Sequence, residues 1–210
     1  MRLFLIAVIL CISAHHGMAQ DRSKPGGTVQ KPSRISLAVT AGYSSPRSKD
    51  PITQFWKGGP EVALSLLAWA GPGFWLGAGA DVSMLWFSES SFAEAYPSVE
   101  MQRKDMAWVN VFVLARYGFI PRARVHPYVE LAIGASRVSG ADYKEVIDGV
   151  RVTYYDIPAR TRLAFTFTGG LDVPLARGLS LLAEAAVRYV HHDENLGVAL
   201  LAKGGVRVTL

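Results

Sequence analysis

Near the C-terminus, His191, His192, Asp193 and Glu194 set two imidazoles beside two carboxylates, a combination that could ligate a metal or pass a proton between acid and base. Their order works against both uses. Consecutive side chains on an extended chain point to opposite faces, so two adjacent histidines at a strand end make a poor chelate. His126 stands before Pro127 and reads as a residue that opens a strand. Ser88, Ser90 and Ser91 offer hydroxyls, but a hydroxyl nucleophile needs a base within hydrogen-bond reach, and no spacing in the chain supplies one. The chain also carries no phosphate-cradling glycine loop, zinc spacing or dinucleotide fingerprint. The sequence thus predicts no catalytic residue, no metal and no cofactor.

A second set of ionisable residues is spread along the chain. Asp81, Arg116, Glu130, Asp172, Glu184, Arg188, Lys203 and Arg207 all fall on the small or polar face of alternating segments. If that face is the inside of a narrow barrel, such charges are tolerated only when paired and hydrogen-bonded. A gated polar path or proton relay is one reading, and a structural plug of salt bridges is the other. The plug is expected, because the lumen of eight strands leaves no aqueous channel. Arg116 and Glu130 would meet diagonally across one hairpin, and Glu184 would face Lys203 or Arg207 across the next.

The elements that must position these groups are strands. In residues 196–210, Leu196, Val198, Leu200, Ala202, Val206, Val208 and Leu210 share one face, and Gly197, Ala199, Lys203, Gly205, Arg207 and Thr209 share the other, with Leu201 the exception. The same alternation places Ile35, Leu37, Val39, Ala41 and Tyr43 on one face of a first strand. Further segments over 61–69, 74–87, 105–119, 126–136, 160–173 and 179–190 bring the count to eight. Connections alternate between long (46–60, 88–104, 140–159) and short (71–73, 120–125, 174–178), with only the last outer loop, 191–195, brief. That is the arrangement of outer-membrane barrels, with long loops outside the cell and both termini in the periplasm.

Which face meets water is decided by composition. The polar face is mainly Gly, Ala, Ser and Thr, which suits a tight lumen, whereas a water-facing sheet would carry more Lys, Glu and Gln. Tyr43, Trp75, Trp86, Phe87, Tyr117, Phe119 and Tyr189 lie near strand ends, where interfacial aromatic girdles belong. The chain is 50% hydrophobic and 19% charged, with mean hydropathy +0.20, yet no long apolar helical run follows its first residues. Transmembrane strands account for both facts, because only every second residue need be apolar.

The N-terminal residues have the three parts of a secretory signal: Arg2, an apolar run from Leu3 to Ile12, and small residues in Gly17-Met18-Ala19. Residues 1–19 are expected to be a signal peptide cleaved after Ala19, the run being too short to span a bilayer as a helix. Cys11, the only cysteine, lies inside it after Leu10, a residue too large for a lipoprotein signal. The exported chain would then have no disulfide support. Residues 20–33, QDRSKPGGTVQKPS, read as a flexible periplasmic leader, and 34–210 as the barrel domain. Loss of Arg2 lowers the net charge of +5 by one. With no basic tract interleaved with aromatics, the positive balance points to contact with outer-membrane lipids and not to nucleic acid.

Two stretches carry a family resemblance. His126-Pro127-Tyr128-Val129-Glu130-Leu131-Ala132-Ile133-Gly134, and Gly169-Gly170-Leu171-Asp172-Val173 through Leu179-Ser180-Leu181, resemble the strand opening and a hairpin of small outer-membrane β-barrel domains of the OmpA/OmpX/OmpW type. The tail is similar to the C-terminal signal read by the barrel-assembly machinery, with Gly205, Val208 and Leu210 near the expected positions. It ends on Leu210 where that signal has an aromatic. The resemblance implies roles in membrane integrity, surface adhesion or, in the OmpW-like branch, passage of small hydrophobic molecules. Residues and resemblance together predict an all-β fold, an eight-stranded antiparallel up-and-down transmembrane barrel. It would be a monomer of the cell outer membrane, reached after Sec-type export, with a structural or surface-interaction role. The alternatives are passage of small hydrophobic molecules and a lipid-modifying outer-membrane enzyme.

Overall fold

The computed structural model describes residues 35–47, 55–97, 99–101, 106–119, 124–139, 141–147, 150–157, 159–192 and 195–210. The expected signal peptide, the leader, and Asp193 and Glu194 lie outside the described residues. In chain order the elements are β1 (Ile35–Pro46), β2 (Trp56–Lys57), β3 (Gly59–Gly71), β4 (Phe74–Phe87), α1 (Glu89–Ala95), β5 (Val99–Met101), β6 (Met106–Gly118), β7 (His126–Val138), β8 (Ala141–Ile147), β9 (Val150–Ile157), β10 (Arg160–Ala176), β11 (Leu179–His192) and β12 (Asn195–Thr209).

Eight of these strands form a closed wall. β1, β3, β4, β6, β7, β10, β11 and β12 each pair antiparallel with the next, and β12 returns to pair with β1 from Ser36↔Thr209 to Pro46↔Ala199. Closure satisfies the backbone groups that an open sheet would leave unpaired at its edges, a requirement in hydrocarbon, where each unpaired group costs several kcal/mol. At the end carrying β1's start and β12's finish the connections are tight, with turns at Pro72-Gly73 and Arg177-Gly178. The long connections all gather at the opposite, loop end.

Alternation sorts the side chains as the sequence predicts. Val62, Leu64 and Leu66 on β3, Val109, Val111 and Val113 on β6, and Leu163, Phe165 and Phe167 on β10 are exposed on the outside of the wall. Such a surface would be an aggregation hazard in water and is the expected one in lipid. Tyr43, Trp86, Phe119 and Tyr189 also face outward near strand ends. Trp75 and Phe87 do not belong to that girdle. They share strand parity with Asp81 and pack inward, Trp75 against Leu67, Leu114 and Ala132, Phe87 against the cluster at the loop end.

The long connections are not plain loops. Trp56 and Lys57 extend β4 as a short partner strand, α1 occupies 89–95, and β5, β8 and β9 form a separate three-stranded sheet. The brief last loop is shorter than expected, since β11 runs through His192 and pairs it with Asn195. On the outside of the wall, Ala41, Gly169, Ala183, Ala185, Ala202 and Gly204 lie side by side and leave a shallow recess of about 730 Å³.

Candidate functional site

The interior is crossed by one row of register partners in which ionic side chains stand beside glycines. Reading around the barrel through the strand register, Ser83, Glu61, Gly42, Lys203, Glu184, Gly170 and Tyr128 stand opposite one another in succession. The two glycines make the row possible. A Cβ on Gly42 would fall 2.0 Å from the Ala202 carbonyl oxygen and 2.7 Å from Lys203 Cα, and one on Gly170 would fall 2.3 Å from the Tyr128 ring. Lys203 therefore reaches across Gly42 toward Glu61, Nζ to Oε1 3.9 Å, while its nearer contact is Glu184 Oε2 at 3.3 Å. Tyr128 lies over Gly170 and donates its hydroxyl to Glu184 Oε1 at 2.5 Å.

Two guanidinium groups extend this row to the opposite wall. Arg116 directs Nε (2.8 Å) and Nη2 (2.7 Å) onto Glu130 Oε2, sends Nη2 on to Glu184 Oε1 at 3.4 Å, and stacks over the Tyr128 ring at 4.1 Å. Arg188 donates Nη2 to Asp81 Oδ2 at 2.5 Å, Nη1 to Glu61 Oε2 at 3.4 Å and Nε to Thr166 Oγ1 at 3.4 Å. Ser83 Oγ also donates to Glu61 Oε2 at 2.6 Å, and Asn110 Nδ2 to Asp81 Oδ1 at 2.5 Å. Nearer the turn end, Arg207 pairs with Asp172 and lies 6.0 Å from the Trp75 ring. Charge-assisted bonds of this kind are strong, and in a dry interior the loss of one partner leaves the other charge uncompensated.

All eight ionisable residues singled out from the sequence lie on the inward face, six buried and Lys203 and Arg207 half-buried. One pairing differs from expectation, and another takes the first of its two alternatives. Arg116 and Glu130 stand directly opposite each other, not diagonally, and Glu184 takes Lys203 while Arg207 reaches past β11 to Asp172 on β10. Sequence reasoning missed Glu61, Asn110 and Tyr128. Glu61 shares the parity of Ala63 and Leu67, so its inward direction was readable, and its position at the start of a segment hid it. Of the tail residues, Gly205 faces inward against Thr40, Val208 faces outward, and Leu210 is 76% exposed with its N–H bonded to the Ile35 carbonyl at 2.9 Å.

The residues read as possible catalysts are not brought together. Ser88 Oγ lies 2.9 Å from Ser91 Oγ at the start of α1, His191 is exposed on the outer face, and His126 stands opposite Asp172 at the turn end. Among the described residues, no group of three or more His, Cys, Asp and Glu is placed to hold a metal ion.

Apolar side chains pack beside the ions inside the wall. Phe55, Trp56, Leu85, Met106, Trp108, Val138 and Leu201 form a buried cluster at the loop end. Leu201, which breaks the alternation of the tail, thus faces inward. Phe92 of α1 closes over this layer, its ring 5.1 Å from Phe55 and 5.2 Å from Phe87. A second cluster, Leu67, Leu114 and Ala132, packs with Trp75 and Phe112, Leu114 and Ala132 lying two residues nearer the loop end than Arg116 and Glu130.

A closed eight-stranded antiparallel wall, apolar outside and ionic within, defines the class: a small β-barrel of the outer-membrane type. The chain is similar in structure to Neisserial surface protein A, with TM-score 0.55 and 14% identity over 84% of this chain and 97% of that one. It is also similar to a major outer membrane protein from Thermus thermophilus, with TM-score 0.53 and 14% identity over 84% and 99% of the two chains. No family model and no curated protein matches the sequence.

Proposed function

We propose that this chain is a monomeric outer-membrane protein with a structural or surface-interaction role, non-enzymatic, its lumen plugged by its own side chains and its loop end facing outward. The observation that carries the reading is the filled interior, which holds the buried Arg188–Asp81 and Arg116–Glu130 pairs together with an apolar cluster that includes Trp56, Trp108 and Leu201. A sealed lumen supports neither conduction nor passage of small hydrophobic molecules, and it leaves the loops as the contact surface. The fold likeness to a surface protein and to a major outer membrane protein is consistent with this role. On this reading, residues 1–19 direct Sec-type export, 20–33 remain in the periplasm, and Gly205, Val208 and Leu210 contribute the signal taken up by the barrel-assembly machinery.

The test is twofold. An outer-membrane fraction is run unboiled and boiled on a denaturing gel, and the purified protein is examined in planar bilayers. A mobility shift with no discrete conductance is expected. Absence of both a shift and membrane association would overturn the membrane assignment, and steady single-channel steps would replace the plug with a transport role.

A further inference from the structure

The strand that closes the wall brings two cations to the carboxylates of the lumen. Among the described residues, the inward face between the two rims carries five carboxylates, Glu61, Asp81, Glu130, Asp172 and Glu184. Without β12 the cations of that face are Arg116, Arg162 and Arg188, with Arg160 of the same parity exposed at the start of β10; β12 adds Lys203 and Arg207. Both added cations reach beyond β12's own neighbours, which are β1 and β11. Lys203 passes over β1 to Glu61 on β3 as well as meeting Glu184 on β11, and Arg207 passes over β11 to Asp172 on β10. Asp172 and Glu184 are buried, and Glu61 is 1% exposed.

We propose that β12 acts as an electrostatic latch, its lumen-facing Lys203 and Arg207 driving closure of the barrel by neutralising carboxylates on three other strands at the moment the last seam forms. In an open wall of seven strands Glu61, Glu184 and Asp172 lack these two cations, a state that is tolerable while water still reaches them and costly once the lumen dries. Insertion of β12 supplies both cations in one step and in one register. A slip of one residue would turn Lys203 and Arg207 outward into lipid and place Ala202 and Val206 opposite the carboxylates. The outward face of β12 meets lipid; its inward face chooses the register.

This inference rests on the reading of the chain as a membrane barrel, and the experiment separates the two. Full chain without residues 1–19 is refolded from urea into dilauroyl-phosphatidylcholine vesicles, and the fraction migrating as the unboiled form is followed in time. Wild type that never folds into vesicles overturns the barrel reading and the latch with it. With wild type folding, Lys203→Met combined with Arg207→Met is expected to slow closure about tenfold or more. Adding Glu184→Gln and Asp172→Asn to that double variant removes two carboxylates, and most of the rate should return. Folding of the double variant at the wild-type rate overturns the latch. So does a four-site variant as slow as the double one, since the cations would then act by packing alone. If neither variant folds, Lys203→Arg with Arg207→Lys decides: this pair keeps the charge and should fold within about threefold of wild type, and its failure assigns the effect to side-chain shape.

Discussion

Arg188 and Asp81 form an ion pair across the barrel, Nη2 to Oδ2 2.5 Å, between β11 and β4, strands that are not neighbours in the wall. The contact exists only when the wall is closed, and it braces the wall against flattening. Arg188→Met leaves Asp81 and Glu61 buried without their guanidinium and is expected to destabilise the folded barrel by about 3–5 kcal/mol. Asp81→Leu in the same chain should recover a large part of that loss. Urea unfolding in vesicles, followed by tryptophan fluorescence, measures both, and equal stability of Arg188→Met and wild type would show that the pair is dispensable.

Gly42 has no room for a side chain. Gly42→Ala sets a methyl group against the Ala202 carbonyl and the Lys203 backbone, so β1 and β12 must move apart at the closing seam. A loss of about 1–3 kcal/mol is expected by the same unfolding measurement. Gly71→Ala, where a Cβ meets nothing within 4 Å, serves as the tolerant control.

The outward faces predict a depth profile. Val113, exposed near the middle of β6, should cost about 2–4 kcal/mol when replaced by arginine in a bilayer, and Leu210 at the strand end about 0–1 kcal/mol. A profile with equal costs at both positions would mean that this face does not sit in hydrocarbon.

Trp108 is 1% exposed and crosses the loop end of the lumen among Trp56, Met106 and Leu201. Trp108→Ala is expected to cost about 3–5 kcal/mol. Combined with Trp56→Ala it should produce brief conductance events in planar bilayers that wild type lacks. A silent double variant would place the seal in the ion row itself.

Leu210→Phe tests the proposed assembly signal after β12. The side chain faces outward and is largely exposed, so stability should change by less than about 0.5 kcal/mol. If residues 205–210 serve as the proposed assembly signal, assembly in a bacterial outer membrane is expected to rise, read as the heat-modifiable fraction. An unchanged fraction would show that leucine serves equally well.

Period-two alternation made the wall legible. It placed Asp81, Arg116 and Glu184 inside and Val111 and Leu163 outside, because a membrane barrel demands one strict choice at every position. It failed where a second cue was allowed to override it. Trp75 and Phe87 were assigned to the girdle from their nearness to strand ends, although their parity with Asp81 already turned them inward. The pairings were less legible than the faces, because parity carries no register and Arg207 skips a strand to reach Asp172. The three-stranded sheet of the loops had a signal, the Asp148-Gly149 dipeptide between two segments of β-branched and aromatic residues. β5, three residues long, carries no period of its own.

The recess formed by Ala41, Ala183, Ala202 and Gly204 overlies the stretch of wall that carries Lys203 and Glu184 on its other side. There the barrel is insulated by little more than peptide backbone, at the height where its internal charge is dense. Lipid chains that fill this shallow recess would come within the thickness of the backbone of that ion pair. The bilayer therefore completes this protein's interior from the outside, and the strength of its central ion pair becomes a property of the lipid as well as of the chain.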